Sequence, residues 1–115
     1  MNTYEGHVLR VVDGDTFDAL VDLGFGVNQK FRVRVEGVDT PEIRTKEGKQ
    51  AKAAVEDLIC DKTVYLTQAG SDKYGRALAR VELMNGQDLT EYLIENKLGK
   101  EYKGGKKFCS MSLLS

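Results

Sequence analysis

Phe31-Arg32-Val33-Arg34-Val35-Glu36-Gly37-Val38-Asp39-Thr40-Pro41-Glu42 joins a strand pattern to a loop fixed by proline. Phe31, Val33 and Val35 alternate with Arg32, Arg34 and Glu36, the two-residue period of a strand with one apolar face and one face carrying two arginines. Pro41, the only proline in the chain, bars Thr40 from helical geometry and sets a rigid loop after that strand. A helical stripe follows: Ala51, Ala54, Val55, Leu58 and Ile59 recur at i, i+3, i+4, i+7 and i+8, predicting a helix from about Glu47 to Cys60 with Thr45 as its N-cap.

Strand signals flank this unit on both sides. Gly6 to about Val12 is apolar-rich, Asp13-Gly14 is a turn signal, and Phe17, Ala19, Val21 and Leu23 alternate with their neighbours from Thr16 to Leu23. Gly24-Phe25-Gly26 breaks that run and makes a longer turn than a tight hairpin needs. Downstream, Thr63–Thr67 and Ala77–Leu83 read as strands, Asn85-Gly86 as a turn, and Asp88 with Glu91 as the capping box of a second helix, whose buried edge is Leu89, Tyr92 and Leu93. Three strands, a helix, two strands and a helix predict a β-barrel with helices, the five-stranded OB fold. A split α+β sheet is the competing arrangement. Barrel closure is preferred because it leaves no open strand edges in a chain too small to cover them.

At 115 residues the chain fits one domain with a modest core. No apolar run approaches the ~20 residues that span a membrane, and Met1–Gly6 lacks the basic-then-apolar pattern of an export signal, so a cytoplasmic protein with reduced Cys60 and Cys109 is expected; a disulfide between the two is the alternative. Two cysteines and one histidine cannot assemble a Cys/His zinc site. The formal net charge of -1 gives no overall basic excess, so any nucleic-acid binding must come from local patches; Lys97, Lys100, Lys103, Lys106 and Lys107 form one candidate, or else a solvated end of the chain.

The chemistry-bearing residues sit where predicted strands end. Asp13-Gly14-Asp15-Thr16 overlaps the start of an EF-hand loop but fails as one, since Phe17 stands where an oxygen ligand belongs; as an isolated motif it is a hairpin turn. Asp39 and Glu42 flank Thr40-Pro41. Arg34, if turned inward, needs a partner, which Glu36, Asp39 or a substrate phosphate would supply. Gly70-Ser71-Asp72-Lys73-Tyr74-Gly75-Arg76-Ala77 has the glycine spacing of a phosphate loop, yet Arg76 replaces the lysine, Ala77 the hydroxyl, and a strand follows. Gly24-Phe25-Gly26 is no dinucleotide fingerprint, and His7 has no GxSxG serine to serve.

Taken together, Val12-Asp13-Gly14-Asp15-Thr16, Arg34 through Glu42, and Asp72-Lys73-Tyr74-Gly75-Arg76 with Leu78-Ala79, in this order, resemble the staphylococcal-nuclease (thermonuclease) family over roughly Val8 to Leu98. The resemblance implies an OB barrel, a calcium ion, and hydrolysis of DNA and RNA to products ending in a 3′-phosphate. It implies that Asp15, Asp39 and the Thr40 carbonyl ligate the metal, that Asp13 supports the metal's water shell, and that Glu42 orients or deprotonates the attacking water. Arg34 and Arg76 match the family's catalytic arginines, and Tyr74 would lie near the bound phosphate. The chain departs from the family at its end. Residues 1–100 would form the nuclease domain and 101–115 a basic, flexible tail, because Met111–Leu114 cannot make the family's third helix. Tyr102 is the nearest match to its nucleotide-stacking tyrosines. A monomer is expected. A non-catalytic OB module that binds nucleic acid or protein is the alternative function, and a structural calcium-binding domain a third. A cytosolic nuclease endangers its host; inhibition, a narrow substrate or a viral origin would each resolve that.

Overall fold

The computed structural model describes residues 3–71 and 75–102, so Tyr74, Cys109 and the expected tail beyond Tyr102 lie outside the described residues. Strands β1 (Thr3–Asp13), β2 (Thr16–Gly24) and β3 (Val27–Val35) lead into a two-residue strand β4 (Val38–Asp39) and helix α1 (Lys46–Ile59). Strands β5 (Thr63–Ser71) and β6 (Ala77–Leu83), helix α2 (Leu89–Glu95) and a two-residue strand β7 (Lys100–Glu101) follow. The five long strands close into a barrel in the order β1-β2-β3-β6-β5, with every pairing antiparallel except β3 with β6. The OB-type barrel expected from the element order is therefore the observed one, and the split sheet is not.

The alternating residues line the barrel as their period requires. Val8, Val11, Phe17, Ala19, Val21, Val33, Val35, Val64, Leu66, Ala79 and Val81 are buried, and α1 adds Ala51, Val55 and Ile59 from the expected stripe. Ala54 and Leu58 lie at the stripe's margin, half-buried. Both helix caps form as read from sequence: Thr45 Oγ1 accepts from the Gly48 amide at 2.9 Å, and an Asp88 carboxylate oxygen accepts from the Glu91 amide at 3.0 Å. In α2 the buried side chains are Leu89, Thr90 and Leu93, while Tyr92 is only half-covered. Thr90 takes Tyr92's expected place because its hydroxyl donates to the Glu36 carbonyl at 2.5 Å, tying α2 to the end of β3.

Three features exceed the sequence reading. β1 begins at Thr3 and β5 runs to Ser71, since Thr3–His7 pair with Thr67–Thr63 and β6 extends the other edge of β5. β3 begins at Val27, because Asn28, Gln29 and Lys30 pair with Asp22, Val21 and Leu20 across the hairpin. Two-residue strands have no readable period, so the β4–β7 pair (Val38 with Glu101, Asp39 with Lys100) was invisible.

The outer face of the β2–β3 hairpin carries a buried charge. Asp18 retains 4% of its side-chain exposure and receives a two-point bond from Arg32, Nε at 2.8 Å and Nη2 at 3.1 Å, with Arg10 Nε at 3.9 Å. The Arg32 bond, against the opposing effect of burial and with help from Lys30 and Arg10, holds the Asp18 carboxyl below its ordinary value. A depressed carboxyl stabilises the fold above the unfolded-state pKa and loses that contribution as pH falls through the folded one. Asp18→Asn is therefore expected to lower stability at pH 7 by about 1 kcal/mol, and the deficit should shrink towards pH 3. Urea midpoints of both proteins at the two pH values check this; an equal deficit at both would contradict it.

Candidate active site

The site is built where three segments meet: the β1–β2 turn, the end of β3 with the loop through β4, and the start of β6. In the turn, the Asp13 carboxylate accepts the Asp15 amide at 3.1 Å, and Asp15 is turned inward and buried. Gly14 is required for closeness. A methyl there would meet Thr40 Cγ2 at 2.8 Å and Ala51 Cβ at 2.9 Å, so the turn lies directly on the Thr40 loop and on α1.

Asp15 joins the segments. Its Oδ2 accepts both the Thr40 amide (3.0 Å) and the Thr40 hydroxyl (3.1 Å), and its Oδ1 accepts the Thr16 hydroxyl (3.1 Å). Arg34 Nη2 stands 3.6 Å from Asp15 Oδ2 and 3.4 Å from Asp39 Oδ1, bridging the two carboxylates. Arg34 Nη1 donates to the carbonyls of Val35 and Val38, each at 2.7 Å. Thus Arg34, buried although it lies on the outer face of its strand, has Asp39 as a partner, one of the options its position allowed. It also has Asp15, a strand away, which no local reading supplies. Glu36 is held through its main chain, its carbonyl accepting from Thr90 and its amide donating to the Ala79 carbonyl. On its other side, the Arg34 guanidinium lies 5.6 Å from the centre of the Tyr102 ring, a cation–π distance.

Arg76 joins from the position just before β6. Its Nη1 donates to Thr16 Oγ1 at 3.4 Å, and Thr16 in turn donates to Asp15. One network therefore runs from Arg76 through Thr16 and Asp15 to Thr40, Arg34 and Asp39. Glu42 is in the adjoining loop, but its carboxylate is exposed and paired with Arg44 Nε at 2.9 Å. Its main chain is what the fold fixes. The Glu42 carbonyl accepts the Thr45 amide at 2.9 Å and the Thr45 hydroxyl at 2.7 Å. Gly48 then brings the first turn of α1 so near that a methyl there would overlap the Glu42 carbonyl. Tyr74 lies outside the described residues.

Charge in the network is unevenly held. Burial alone would raise the Asp15 carboxyl, but the Asp13 carboxyl, the Thr40 amide and the Arg34 charge outweigh it and hold Asp15 below its ordinary value. Burial first, and then the adjacent Asp15, push Asp13 up to about 6. Asp15 is therefore the first of the pair to ionise, and Asp13 follows only near pH 6. Among the described residues no three His, Cys, Asp or Glu side chains converge as a ready-made metal cage. The donor set nevertheless suits a hard cation. The carboxylates of Asp15 and Asp39 both lie against Arg34, with Asp13 adjacent, and they offer oxygen donors with no nitrogen or sulfur ligand among them.

Gly14, Thr16 and Gly48 hold the site in place without having been singled out as site residues. Thr16 was within the quoted motif. Gly48 carried a usable signal: a glycine in the first turn of an otherwise ordinary helix, where alanine would be favoured, points to a close backbone approach.

A model of the family described as staphylococcal nuclease homologue matches residues 32–110. The chain belongs to the staphylococcal nuclease family. It is 38% identical over 76 residues to Protein ParB of Escherichia coli, covering 66% of this chain and 40% of that one. It is 37% identical over 78 residues to a micrococcal nuclease of Shigella flexneri, covering 68% and 42%. To an uncharacterized endonuclease of Escherichia coli O157:H7 it is 29% identical over 89 residues, covering 77% and 55%. The chain thus spans about half the length of the curated relatives it matches. No helix among the described residues is long and apolar enough to cross a membrane.

Proposed function

We infer that this domain is a calcium-dependent endonuclease that hydrolyses phosphodiester bonds of DNA and/or RNA and leaves 3′-phosphate ends. One observation carries the reading: a buried guanidinium bridges two carboxylates from different segments, in one network with a second arginine and beside the loop that carries Glu42. An isolated structural ion pair has no need of that second arginine or of a loop locked down by Thr45 and Gly48. The relatives named as nucleases agree with it.

In this reading Asp15, Asp39 and the Thr40 carbonyl hold the cation, and Asp13 orders its waters. A bound calcium supplies Lewis-acid stabilisation of the charge that develops on the phosphoryl oxygens. Arg34 and Arg76 hold the phosphate from the protein side and stabilise the same charge in the transition state, where their fork matches two oxygens at once. To do so Arg34 exchanges its carboxylate partners for the substrate while its Nη1 stays on the Val35 and Val38 carbonyls. Glu42 positions or deprotonates water after leaving Arg44. Tyr74 contacts the phosphate. The working domain, expected from sequence to stop at residue 100, includes Glu101 and Tyr102 as well, the residues after them form the basic tail, and the protein acts as a cytoplasmic monomer.

The test is incubation with single-stranded DNA and with RNA, in calcium and in excess chelator, followed by end-labelling of the products. Calcium-dependent cutting whose product 3′ ends become extendable only after phosphatase treatment is expected. Cutting unaffected by chelator removes the metal from the reading. Binding of both polymers with no cutting leaves a nucleic-acid-binding OB module instead.

A further inference from the structure

Arg34 is enclosed from several directions, and some of its contacts are ones it must give up. Its Nη1 donates to the Val35 and Val38 carbonyls, its Nη2 faces Asp15 and Asp39, and its guanidinium carbon stands over the Tyr102 ring, 5.6 Å from the centre. In the nuclease reading both carboxylates turn to a cation and Nη2 turns to a phosphate. Of the contacts described, the two carbonyls and the ring are then what holds the guanidinium. The carbonyls pin one nitrogen. The ring bounds the rest of the group, so that the far nitrogen stays near one place.

Folding alone does not account for an aromatic side chain at position 102. The ring is 43% exposed and lies outside the apolar cluster that fills the barrel. Among the described residues its hydroxyl has no hydrogen-bond partner. The main chain, by contrast, is fixed. The Tyr102 amide donates to the Gly37 carbonyl at 3.0 Å, and Lys100 and Glu101 just before it pair with Asp39 and Val38. That clasp needs only backbone at this position, and any residue with an amide would complete it. What the ring itself covers is Arg34, whose side chain keeps 11% of its exposure. A guanidinium over an aromatic face is attracted by the ring quadrupole, and more strongly where water is excluded. A ring whose backbone is held by strand pairing is a fixed wall for that cation.

We propose that Tyr102 is a positioning residue for Arg34: its ring keeps the guanidinium aimed at the phosphate after Asp15 and Asp39 have turned to the metal. The proposal rests on the nuclease reading for its purpose. It differs from the nucleobase-stacking role that the family resemblance attaches to tyrosines in this region. A stacking platform acts on substrate affinity and does so without Arg34. A wall for Arg34 acts on the chemical step and only through Arg34. The ring face that the guanidinium occupies favours the second role.

Two measurements test it. The first is NMR of the arginine side chains in chelator, where no hydrolysis is required. The Arg34 side-chain protons over the ring should carry an upfield ring-current shift that is kept in Tyr102→Phe and lost in Tyr102→Leu. The second is steady-state cleavage of an oligonucleotide in calcium. Tyr102→Leu should lower kcat about tenfold and leave KM within about twofold. Tyr102→Phe should restore most of that loss. In an Arg34→Ala background, adding Tyr102→Leu should slow cleavage no further, since a residue acting through Arg34 has nothing left to position. Arg34 signals that are the same in the unmodified chain and in Tyr102→Leu overturn the proposal. An effect of Tyr102→Leu that falls on KM, or that persists in the Arg34→Ala background, overturns it in favour of a stacking platform. The expected signal changes in a protein that cuts no substrate count against the nuclease reading and leave the hold of the ring on Arg34 standing.

Discussion

Replacing Arg34 with alanine will lower cleavage of DNA by about 100-fold or more, the scale of a lost electrostatic partner in a transition state (~3 kcal/mol). It will also destabilise the fold, an effect that Arg76→Ala will show only weakly. The reason is the double attachment of Arg34. Its Nη1 bonds to the Val35 and Val38 carbonyls close the β3–β4 turn, and its Nη2 stands between Asp15 and Asp39. Removing it strips two carbonyls of a donor and leaves Asp15, which is buried, without its nearest cation. Discounted for the exposure of Asp39, the loss should be about 2–3 kcal/mol. From sequence alone the fold is expected to survive this substitution untouched; the structure gives the same residue a second duty. Arg34→Lys separates the two. A lysine restores the charge and part of the stability but cannot reach two carbonyls and two carboxylates at once, so cleavage should stay low. Single-turnover rates on an oligonucleotide together with urea midpoints measure both quantities. Cleavage by Arg34→Ala within threefold of the unmodified chain would remove Arg34 from the chemistry.

Gly48→Ala is the second large effect, and its sign is opposite to what helix propensity suggests. In a helix interior alanine is favoured over glycine by about 1 kcal/mol. Here the new methyl would overlap the Glu42 carbonyl and lie 2.9 Å from that of Pro41, with backbone on the opposing side and no flexible group to yield. Overpacking of this kind costs roughly 1–3 kcal/mol. The loop must move for α1 to form, and it carries Thr40 and Glu42 with it. Because displacements near 1 Å can cost about 100-fold in rate, a fall in cleavage of that order is expected. Lys49→Ala, one residue along on the exposed side of the helix, serves as the control and should change neither quantity appreciably. A Gly48→Ala protein that is more stable and equally active would show that the loop position does not matter.

Legibility from sequence followed the physics of each feature. The Phe17–Ala19–Val21 alternation, the Ala51–Val55–Ile59 stripe and the Asp88–Glu91 cap are local periodicities, and each stands where its spacing put it. Arg34 could be picked out because two arginines on one face of a strand demand partners. That Asp15 would be one of them could not be read, since it depends on the register of β2 against β3. Glu42 shows the limit in another form. Its main chain is fixed by Thr45 as the N-cap pattern implies, but an exposed carboxylate takes the nearest cation, and that is Arg44. Contacts between one backbone and another, such as Gly14 on Thr40 or Gly48 on Glu42, leave no mark in sequence except the glycine itself.

The short β4–β7 ladder also bears on when the site comes into being. Val38 and Asp39 find their strand partners in Glu101 and Lys100, the Gly37 carbonyl accepts the Tyr102 amide at 3.0 Å, and a methyl at Gly99 would meet Val38 Cγ2 at 2.6 Å and the Asp39 carbonyl at 3.2 Å. The loop that presents Asp39 thus depends on some of the last described residues in the chain. During vectorial synthesis the barrel strands emerge and pair first, while that loop waits for its clasp. A growing polypeptide surrounded by messenger and ribosomal RNA would carry every acidic and basic group of the site through Arg76 and still lack the assembled centre. The loop that presents Asp39 is completed only when residues 99–102 have joined it, after Asp15, Arg34 and Arg76 are already in place.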